Sequence, residues 1–529
     1  MTHSSASEPV KPARGRASLI GIVVVAAVVS LSAAGNDLPL IDAVKAGNVE
    51  SVRALLKQRV DVNAALADGT TALHWAAEAN ANEIARLLIT AGARANAANR
   101  YGVTPLTLAA TNGNGALTEA LLKAGANPNV TVGEGETILM TAARTGNVAT
   151  IKALVTHGAD VNAVEQWQGQ SALVYAAIEN HADAVKLLVE LGANVNARSK
   201  RLEFPDFVFK TAGMIYAVQP VGSWTPLMFA ARDGAIDAVR ALAGSGADLN
   251  LVDPDGTTAL TLAIINGHFD TAVALLEKGA NPNVADKSGM TSLYAAVDMN
   301  TIQTVWGRPM PLLEDATDPA GMVRSLLAHG ADPNVQLKRP IIGRHTRNTG
   351  DASLSQGTTA LARAAKSGDA RMMKLLLDGG ANPHLTQADL TTVAIIAATG
   401  GGQRVYPGSA SVSVPATEDD SLAAIKLIAE AGVDLDAFNV NGDTAIHRAA
   451  ARGADSIVAY LAERGARVDT KDRRGRTPLD VALGVGGGGR GGPPQVRKST
   501  AELLRKLMAA RGLTVPAATA GNVASSQRP

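Results

Sequence analysis

The sequence has no cysteine, few aromatic residues and almost no net charge. Without cysteine, the protein cannot form disulfides, cysteine-ligated zinc sites, iron–sulfur clusters or thiol nucleophiles. Phe, Tyr and Trp make up only 3 % of the 529 residues, although large rings usually supply much of the buried area in globular cores. The apolar fraction is still 46 %, far too high for a disordered chain. We therefore predict a folded protein whose core consists of something other than large rings.

The net charge of +1 hides a segregation of charge along the chain. Residues 464–529 contain thirteen Lys and Arg against four Asp and Glu, and residues 1–34 contain three against one, so the chain between them carries a net charge of −10. A nucleic-acid-binding protein would need a concentrated basic face on its body, so we predict no nucleic-acid partner. For the basic C-terminal end, a solvated cap is the favoured interpretation, and contact with an anionic surface is the alternative.

Long apolar runs are also missing, and the longest candidate lies near the N-terminus. Lys11, Arg14 and Arg16 precede a 13-residue apolar run at residues 19–31, and small residues follow at 32–35. This order is typical of a secretory signal peptide, here residues 1–34, and predicts an exported protein that is periplasmic or secreted. The alternative is an uncleaved membrane anchor with the rest of the chain outside, although a spanning helix needs about 20 apolar residues. We expect membrane contact only through this segment, if it stays uncleaved.

A period of 33 residues fills the rest of the chain. The segment that begins TALH at Thr71 recurs as TPLT at Thr104, and related segments follow at spacings of 33 or 34 residues, apart from three longer intervals. The longer intervals are explained by inserted segments, and a degenerate first copy begins at Leu38. Twelve units result, and the later eleven begin at Thr71, Thr104, Thr137, Ser171, Thr225, Thr258, Thr291, Thr359, Thr392, Thr444 and Thr477.

Each unit predicts two helices and a turn. Its Thr or Ser is suited to cap the first helix, because the hydroxyl accepts hydrogen bonds from free N–H groups of the first turn. Alanine pairs such as Ala76 and Ala77 allow neighbouring helices to approach closely. A second amphipathic helix carries leucine pairs such as Leu87 and Leu88, and it ends at a glycine before a turn rich in Asp and Asn.

These motifs resemble the ankyrin repeat, with its Thr-Pro-Leu-His-x-Ala-Ala helix start and its later Leu-Leu-x-x-Gly-Ala-Asp/Asn. The resemblance covers residues 36–511 and implies an all-α solenoid of stacked helix pairs, with finger-like turns lining a concave surface that binds other proteins. The signature histidine occurs only at His74 and His447, so the family's inter-repeat histidine hydrogen bond is in question elsewhere. Residues 512–529 are expected to be a disordered tail, and we expect a monomer.

Five insertions interrupt the period, and none is long enough to be a catalytic domain. Those at 198–222 and 337–356 should extend fingers, while those at 301–319, 399–418 and 484–498 lie between the two helices of a unit. The sequence contains no catalytic motif in the structural context that the motif requires, and its histidines are not spaced as metal ligands are. We therefore predict no enzymatic activity, no cofactor and no metal site.

The candidate partner-binding residues are aromatic side chains outside the expected core and charged ends of first helices. Trp75, Tyr175 and Phe229 share one slot in their units, which we interpret as core. The candidates are Tyr101, Trp167 and Trp224 on fingers, Phe204, Phe207, Phe209 and Tyr216 in the 198–222 insertion, and Arg144 and Arg232 on first helices.

Two hypotheses for function follow. The leading one is a non-enzymatic scaffold that binds an unidentified protein through its concave surface. The alternative is a small-molecule binder or carrier that uses the aromatic insertion as a lid. For that insertion, a small satellite core that buries its own rings is favoured over exposed contacts.

Overall fold

The computed structural model describes residues 38–202, 209–211, 214–216, 221–300, 315–339, 341, 354–401, 403–405, 413–485 and 495–515. The predicted signal peptide and residues 516–529 of the predicted tail lie outside the described residues, as do parts of all five predicted insertions.

The described residues form 24 helices, which alternate as the first and second helix of twelve units. The first helices are α1 (Pro39–Lys45), α3 (Ala72–Glu78), α5 (Pro105–Thr111), α7 (Ile138–Thr145), α9 (Ala172–Ile178), α11 (Pro226–Arg232), α13 (Ala259–Ile265), α15 (Ser292–Met299), α17 (Ala360–Lys366), α19 (Val393–Thr399), α21 (Ala445–Arg452) and α23 (Pro478–Ala482). The second helices are α2 (Val49–Lys57), α4 (Asn82–Thr90), α6 (Gly115–Lys123), α8 (Val148–Thr156), α10 (Ala182–Glu190), α12 (Ile236–Gly244), α14 (Phe269–Glu277), α16 (Pro319–Ala328), α18 (Ala370–Asp378), α20 (Glu418–Glu430), α22 (Asp455–Glu463) and α24 (Lys498–Ala510).

The helices form two rows. Each first helix packs against the first helices of the neighbouring units, and each second helix does the same in its own row. The rows continue across the longest interval in the repeat, where α15 packs on α17 and α16 packs on α18. The predicted all-α solenoid of about twelve units is confirmed.

Strands in the described residues are short and form four antiparallel pairs. We call the turn that precedes each first helix a finger, and one finger contains the pair β1 (Thr131–Val132) and β2 (Glu136–Thr137). In the 198–222 insertion, β3 (Arg201–Leu202) pairs with β6 (Val221–Gly222), and β4 (Phe209–Thr211) pairs with β5 (Met214–Tyr216). Between α19 and α20, β7 (Gln403–Val405) pairs with β8 (Ser413–Pro415).

Small and aliphatic side chains fill the space between the rows. Ala76 and Ala77 of α3 and Leu88 of α4 have no exposed surface, and the same residue types recur in later units. Phe269, at the start of α14, is the aromatic side chain among the largest that are fully buried. A stack two helices thick has little interior volume for rings, which explains the low aromatic content.

A repeated side-chain bridge joins consecutive units where each second helix ends. Asn129 donates through Nδ2 to the carbonyl of Gly158 (2.8 Å) and accepts at Oδ1 from the N–H of Asp160 (2.9 Å). An amide side chain can do both at once, whereas a carboxylate can only accept. We call this series the asparagine ladder; both bonds occur at Asn63, Asn96, Asn129, Asn162, Asn283 and Asn334, with distances of 2.7–3.2 Å.

The ladder is interrupted at His384, which occupies the position of these asparagines between the ninth and tenth units. The ladder residue before it, Asn334, still bonds to Gly380 and Asn382. The corresponding groups one unit later are the carbonyl of Gly432 and the N–H of Asp434, and neither is bonded to the exposed His384. Six of the eight earlier junctions have both bonds, and the other two keep the accepting bond at Asn196 and Asn250. The junction between the ninth and tenth units has neither.

We predict that His384→Asn stabilises the protein by about 1 kcal/mol, because the new amide can make both missing bonds and each net hydrogen bond contributes about 0.5–1.5 kcal/mol. The midpoint of urea unfolding measures the change. His384→Ala is the control, and its free energy of unfolding should lie within about 0.5 kcal/mol of the wild-type value. An equal midpoint for the Asn and Ala variants would show that the ladder position contributes no stability there.

Candidate protein-binding surface

Backbone hydrogen bonds stack the fingers side by side. The N–H of Arg100 donates to the carbonyl of Asp68 in the preceding finger (2.8 Å), and the N–H of Gln166 donates to the carbonyl of Glu134 (2.9 Å). At Gly69 the φ angle is +86°, and an added Cβ would lie 3.2 Å from the Cα of Asn99 in the next finger. A side chain there would meet both a strained backbone and its neighbour, so the close stacking of fingers requires glycine.

Most fingers are also braced from within by one polar side chain. In the finger before α9, the Glu165 carboxylate is buried and accepts from the N–H groups of Trp167 (2.6 Å), Gln168 (2.9 Å) and Gln170 (2.8 Å). In the finger before α5, Asn99 accepts in the same way from the N–H groups of Tyr101 and Val103. These bonds fix the backbone at the tips and therefore the positions of the two aromatic side chains.

Tyr101 and Trp167 project from the tips with 50 % and 60 % of their surface exposed. The finger between them carries Glu134, which is also exposed. The guanidinium of Arg100 lies 4.7 Å from the centre of the Tyr101 ring. The tips of three consecutive fingers thus present a ring, a carboxylate and a second ring.

Other exposed apolar side chains also concentrate on fingers. Of the eight large hydrophobic residues exposed in the described part of the chain, five lie on fingers: Tyr101, Val164, Trp167, Leu390 and Phe438. Exposed rings held on rigid supports are common at binding surfaces, because little side-chain entropy is lost on binding.

Two buried histidines anchor fingers to first helices. His74 accepts at Nδ1 from the N–H of Thr71 (3.1 Å), so its Nε2 carries the proton and donates to the carbonyl of Val103 (3.0 Å) in the Tyr101 finger. His447 likewise accepts from the N–H of Thr444 (3.3 Å) and donates to the carbonyl of Arg476 (3.2 Å). Both signature histidines therefore make bonds between units. Burial lowers the pKa of both rings, because the charged form would lose its solvation.

Cations cover the rings of the first-helix row. The Nζ of Lys45 lies 4.4 Å from the centre of the Trp75 ring, and the guanidinium carbon of Arg144 lies 4.8 Å from that of Tyr175. Trp75 and Tyr175 are only half-buried, although both pack against the core. Of the three rings in this slot, Phe229 is the one that is buried. The prediction that these rings belong to the core therefore holds for Phe229 and only in part for Trp75 and Tyr175.

The two predicted arginines are each engaged by a carboxylate. Arg144 forms an ion pair with Glu136, and Arg232 binds Asp233 through two bonds of 2.6 Å. Arg232 also lies 5.4 Å from the Trp224 ring and 5.3 Å from the Phe229 ring. These side chains hold the aromatic row together, and their guanidinium groups remain at its surface.

Trp224 is less accessible than the other finger rings. It is half-buried, meets Phe229 edge to face with a centroid distance of 5.4 Å, and donates from Nε1 to the Asp253 carboxylate at 3.4 Å. In the insertion next to it, Phe209 and Tyr216 are paired in the register of β4 and β5, and their side chains lie outside the described residues. Phe204 and Phe207 lie wholly outside them.

A buried ionic cluster in the middle of the stack was missed by sequence reasoning. Arg363 of α17 donates from Nε to Asp298 of α15 (2.6 Å), and Asn300 donates to Asp369 (2.5 Å), which also caps α18. Arg363 occupies the slot that holds Trp75 and Tyr175 in other units. Most other units hold a ring or an aliphatic side chain in this slot, Thr141 and Arg448 being exceptions, so the charge of Arg363 was the available signal.

The described residues contain no group of three or more His, Asp or Glu arranged to hold a metal ion. Among the same residues, no helix is both long and apolar enough to cross a membrane.

We predict that the stability contributed by His74 and His447 is complete above about pH 6.5 and is lost as the pH falls below it. The folded pKa lies below the unfolded value of about 6.5, so the unfolded chain binds more protons in acid. Between pH 7.5 and 5.0 the wild type should lose more stability in urea unfolding than the double variant His74→Gln/His447→Gln. His329→Gln, which changes an exposed histidine, should keep the wild-type pH dependence. Equal losses in the wild type and the double variant would contradict this account.

Models of the ankyrin-repeat family match most of the chain. The family described as "Ankyrin repeats (3 copies)" matches residues 40–132, 108–199, 219–306 and 415–487, and "Ankyrin repeat" matches residues 356–387. Serine/threonine-protein kinase 12 of Arabidopsis thaliana is 38 % identical over 68 residues, which are 13 % of this chain and 15 % of the kinase. The crystal structure of the human ASB11 ankyrin repeat domain aligns with a TM-score of 0.37 and 26 % identity, covering 46 % of this chain and 99 % of that one. Because the family matches span more than half of the sequence, the chain belongs to the ankyrin-repeat family.

Proposed function

We propose that this protein is an exported, non-enzymatic scaffold that binds a partner protein across the finger tips and first helices of its N-terminal half. Ankyrin repeats indicate a protein–protein interaction scaffold. The observation that carries the proposal is the row of Tyr101, Glu134 and Trp167, because two large exposed rings are held on braced fingers with a carboxylate between them.

The spacing of the row suits an extended segment of the partner. Helices pack 8–10 Å apart, so Tyr101 and Trp167, two units apart, are separated by about 20 Å. An extended chain advances about 3.3 Å per residue, so about six residues span this distance. A segment with apolar residues at both ends and a Lys or Arg between them would match the rings and Glu134.

Export is the second part of the proposal. It rests on the basic residues, the 13-residue apolar run and the small residues at 32–35, and it places the repeats outside the cytoplasm. N-terminal sequencing of the mature protein tests it, because a chain that begins at Gly35 supports cleavage and one that retains residues 1–34 supports the anchored alternative.

A non-enzymatic role is supported by the repeat architecture. The match to the plant kinase is 68 residues long, about two repeat units, and that kinase's activity is not carried over to this chain. The small-molecule alternative depends on the aromatic side chains of the 198–222 insertion, and no contact among the described residues favours it.

We predict that the double variant Tyr101→Ala/Trp167→Ala binds its partner segment at least about 10-fold more weakly, because rings of this kind contribute most of the energy at protein interfaces. Peptides are selected from a displayed library against the full wild-type chain, and their affinities are measured by calorimetry. The selected peptides should carry a Lys or Arg between apolar residues, and the unfolding midpoint should stay unchanged because both rings are exposed.

Phe438→Ala is the matched control, since Phe438 is equally exposed (60 %) on a finger near the C-terminal end. It should bind the selected peptides with wild-type affinity. The proposed site would be wrong if Phe438→Ala weakened binding as much as the double variant, or if the double variant bound normally.

A further inference from the structure

The C-terminal end of the stack carries a charge excess that its own carboxylates do not neutralise. The described residues 464–485 and 495–515 contain eleven Lys and Arg against four Asp and Glu. Within these ranges, ion pairs form between Arg476 and Asp472 (2.7 Å) and between Arg467 and Asp469 (3.8 Å). Among the described residues, no carboxylate lies within ion-pair distance of five exposed side chains, those of Lys471, Arg473, Arg474, Lys498 and Lys506.

Solubility alone does not explain this excess. Both ends of a solenoid need polar caps, because the terminal units have a neighbour on one side only. At the N-terminal end, residues 38–61 serve as the cap with four Lys and Arg against three Asp and Glu. A cap with nearly equal numbers of positive and negative side chains is therefore sufficient for this fold. The positive net charge of the C-terminal cap calls for another explanation.

The last finger presents two of these cations at an open edge of the stack. Arg473 donates its N–H to the carbonyl of Asn441 in the preceding finger (2.9 Å), and in the described part of the chain no later finger stacks on its other side. His447 bonds this finger to the preceding unit, and the Arg476–Asp472 ion pair joins two residues within the finger. Arg473 and Arg474 are therefore exposed on a braced support at the end of the molecule.

The distribution of charge favours a flat anionic surface as the ligand. A membrane can touch the C-terminal end while the body of the protein, with its net charge of −10, points away from it. A nucleic acid would lie along that acidic body and be repelled by it. Residues 464–529 also contain no Phe, Tyr or Trp on which the bases of a single strand could stack.

We propose that the C-terminal basic end of the solenoid docks on the surface of an anionic phospholipid membrane, with Arg473 and Arg474 contacting the headgroups. Each Lys or Arg near such a surface strengthens binding by about fivefold, and salt weakens the attraction. The site is separate from the ring–carboxylate–ring row, so the protein can occupy both at once.

The full chain is tested by sedimentation with vesicles of phosphatidylglycerol and phosphatidylcholine, and with vesicles of phosphatidylcholine alone. The wild type should bind the anionic vesicles more tightly, and the difference should shrink in 0.5 M salt. Arg473→Gln/Arg474→Gln should weaken binding to anionic vesicles by about 25-fold, and Arg473→Glu/Arg474→Glu should give a larger loss. All proteins carry the same residues 1–37, so any contribution from that segment cancels in the comparison.

Lys57→Glu/Arg94→Glu is the matched control, because both side chains are exposed at the opposite end and the change in net charge is the same. This variant should stay within about twofold of the wild type. Three outcomes would overturn the proposal: equal losses in the control and the Arg473/Arg474 variants, no preference of the wild type for anionic vesicles, or displacement of bound vesicles by a single-stranded oligonucleotide at equal phosphate concentration.

Discussion

The asparagine ladder is the interaction that sets the spacing of units in most of the stack, since both of its bonds occur at six of the eleven junctions. A solenoid has no contacts between distant parts of the chain, so its shape is set at each junction between neighbouring units. At Asn129 one side chain bonds both to Gly158, just past the end of the following second helix, and to Asp160, in the segment that leads to the next finger. The ladder therefore fixes the distance between units and the direction of each finger together.

The ladder also explains how the stack tolerates insertions. Asn283 bonds to Gly330 and Asn334 bonds to Gly380, although these pairs lie 47 and 46 residues apart in the sequence. The two ends of each bridge therefore meet across an inserted segment as they do across an uninterrupted unit. Because the spacing is kept, exposed side chains such as Tyr101 and Trp167 are presented at regular intervals by rigid supports, as a binding surface requires.

Much of the fold could be predicted from the sequence because its signals are local. The Thr caps, Ala pairs and terminal glycines each act within one unit, and they specify twelve helix pairs without knowledge of their neighbours. The exposed positions of Tyr101 and Trp167 also agree with the expectation that rings on fingers have little to pack against.

Other features depended on contacts that the sequence does not reveal. Arg363 and Asp298 pair across 65 residues that include two predicted insertions, so no periodic pattern brings them together. The half-burial of Trp75 and Tyr175 depends on cations from the preceding units, Lys45 and Arg144. The ion pairs of the folded chain were likewise needed to identify which cations of the basic C-terminal end have no carboxylate beside them.

Amide hydrogen exchange tests the ladder most directly. The N–H groups of Asp160, Asn194, Asp332 and Asn382 donate to ladder asparagines. The N–H of Asp434 holds the corresponding position at the His384 junction, and among the described residues it has no such acceptor. The ladder predicts that Asp434 exchanges markedly faster than the four bonded amides under native conditions. Equal protection of Asp434 and these amides would contradict the claim that the side-chain bridges hold the units together.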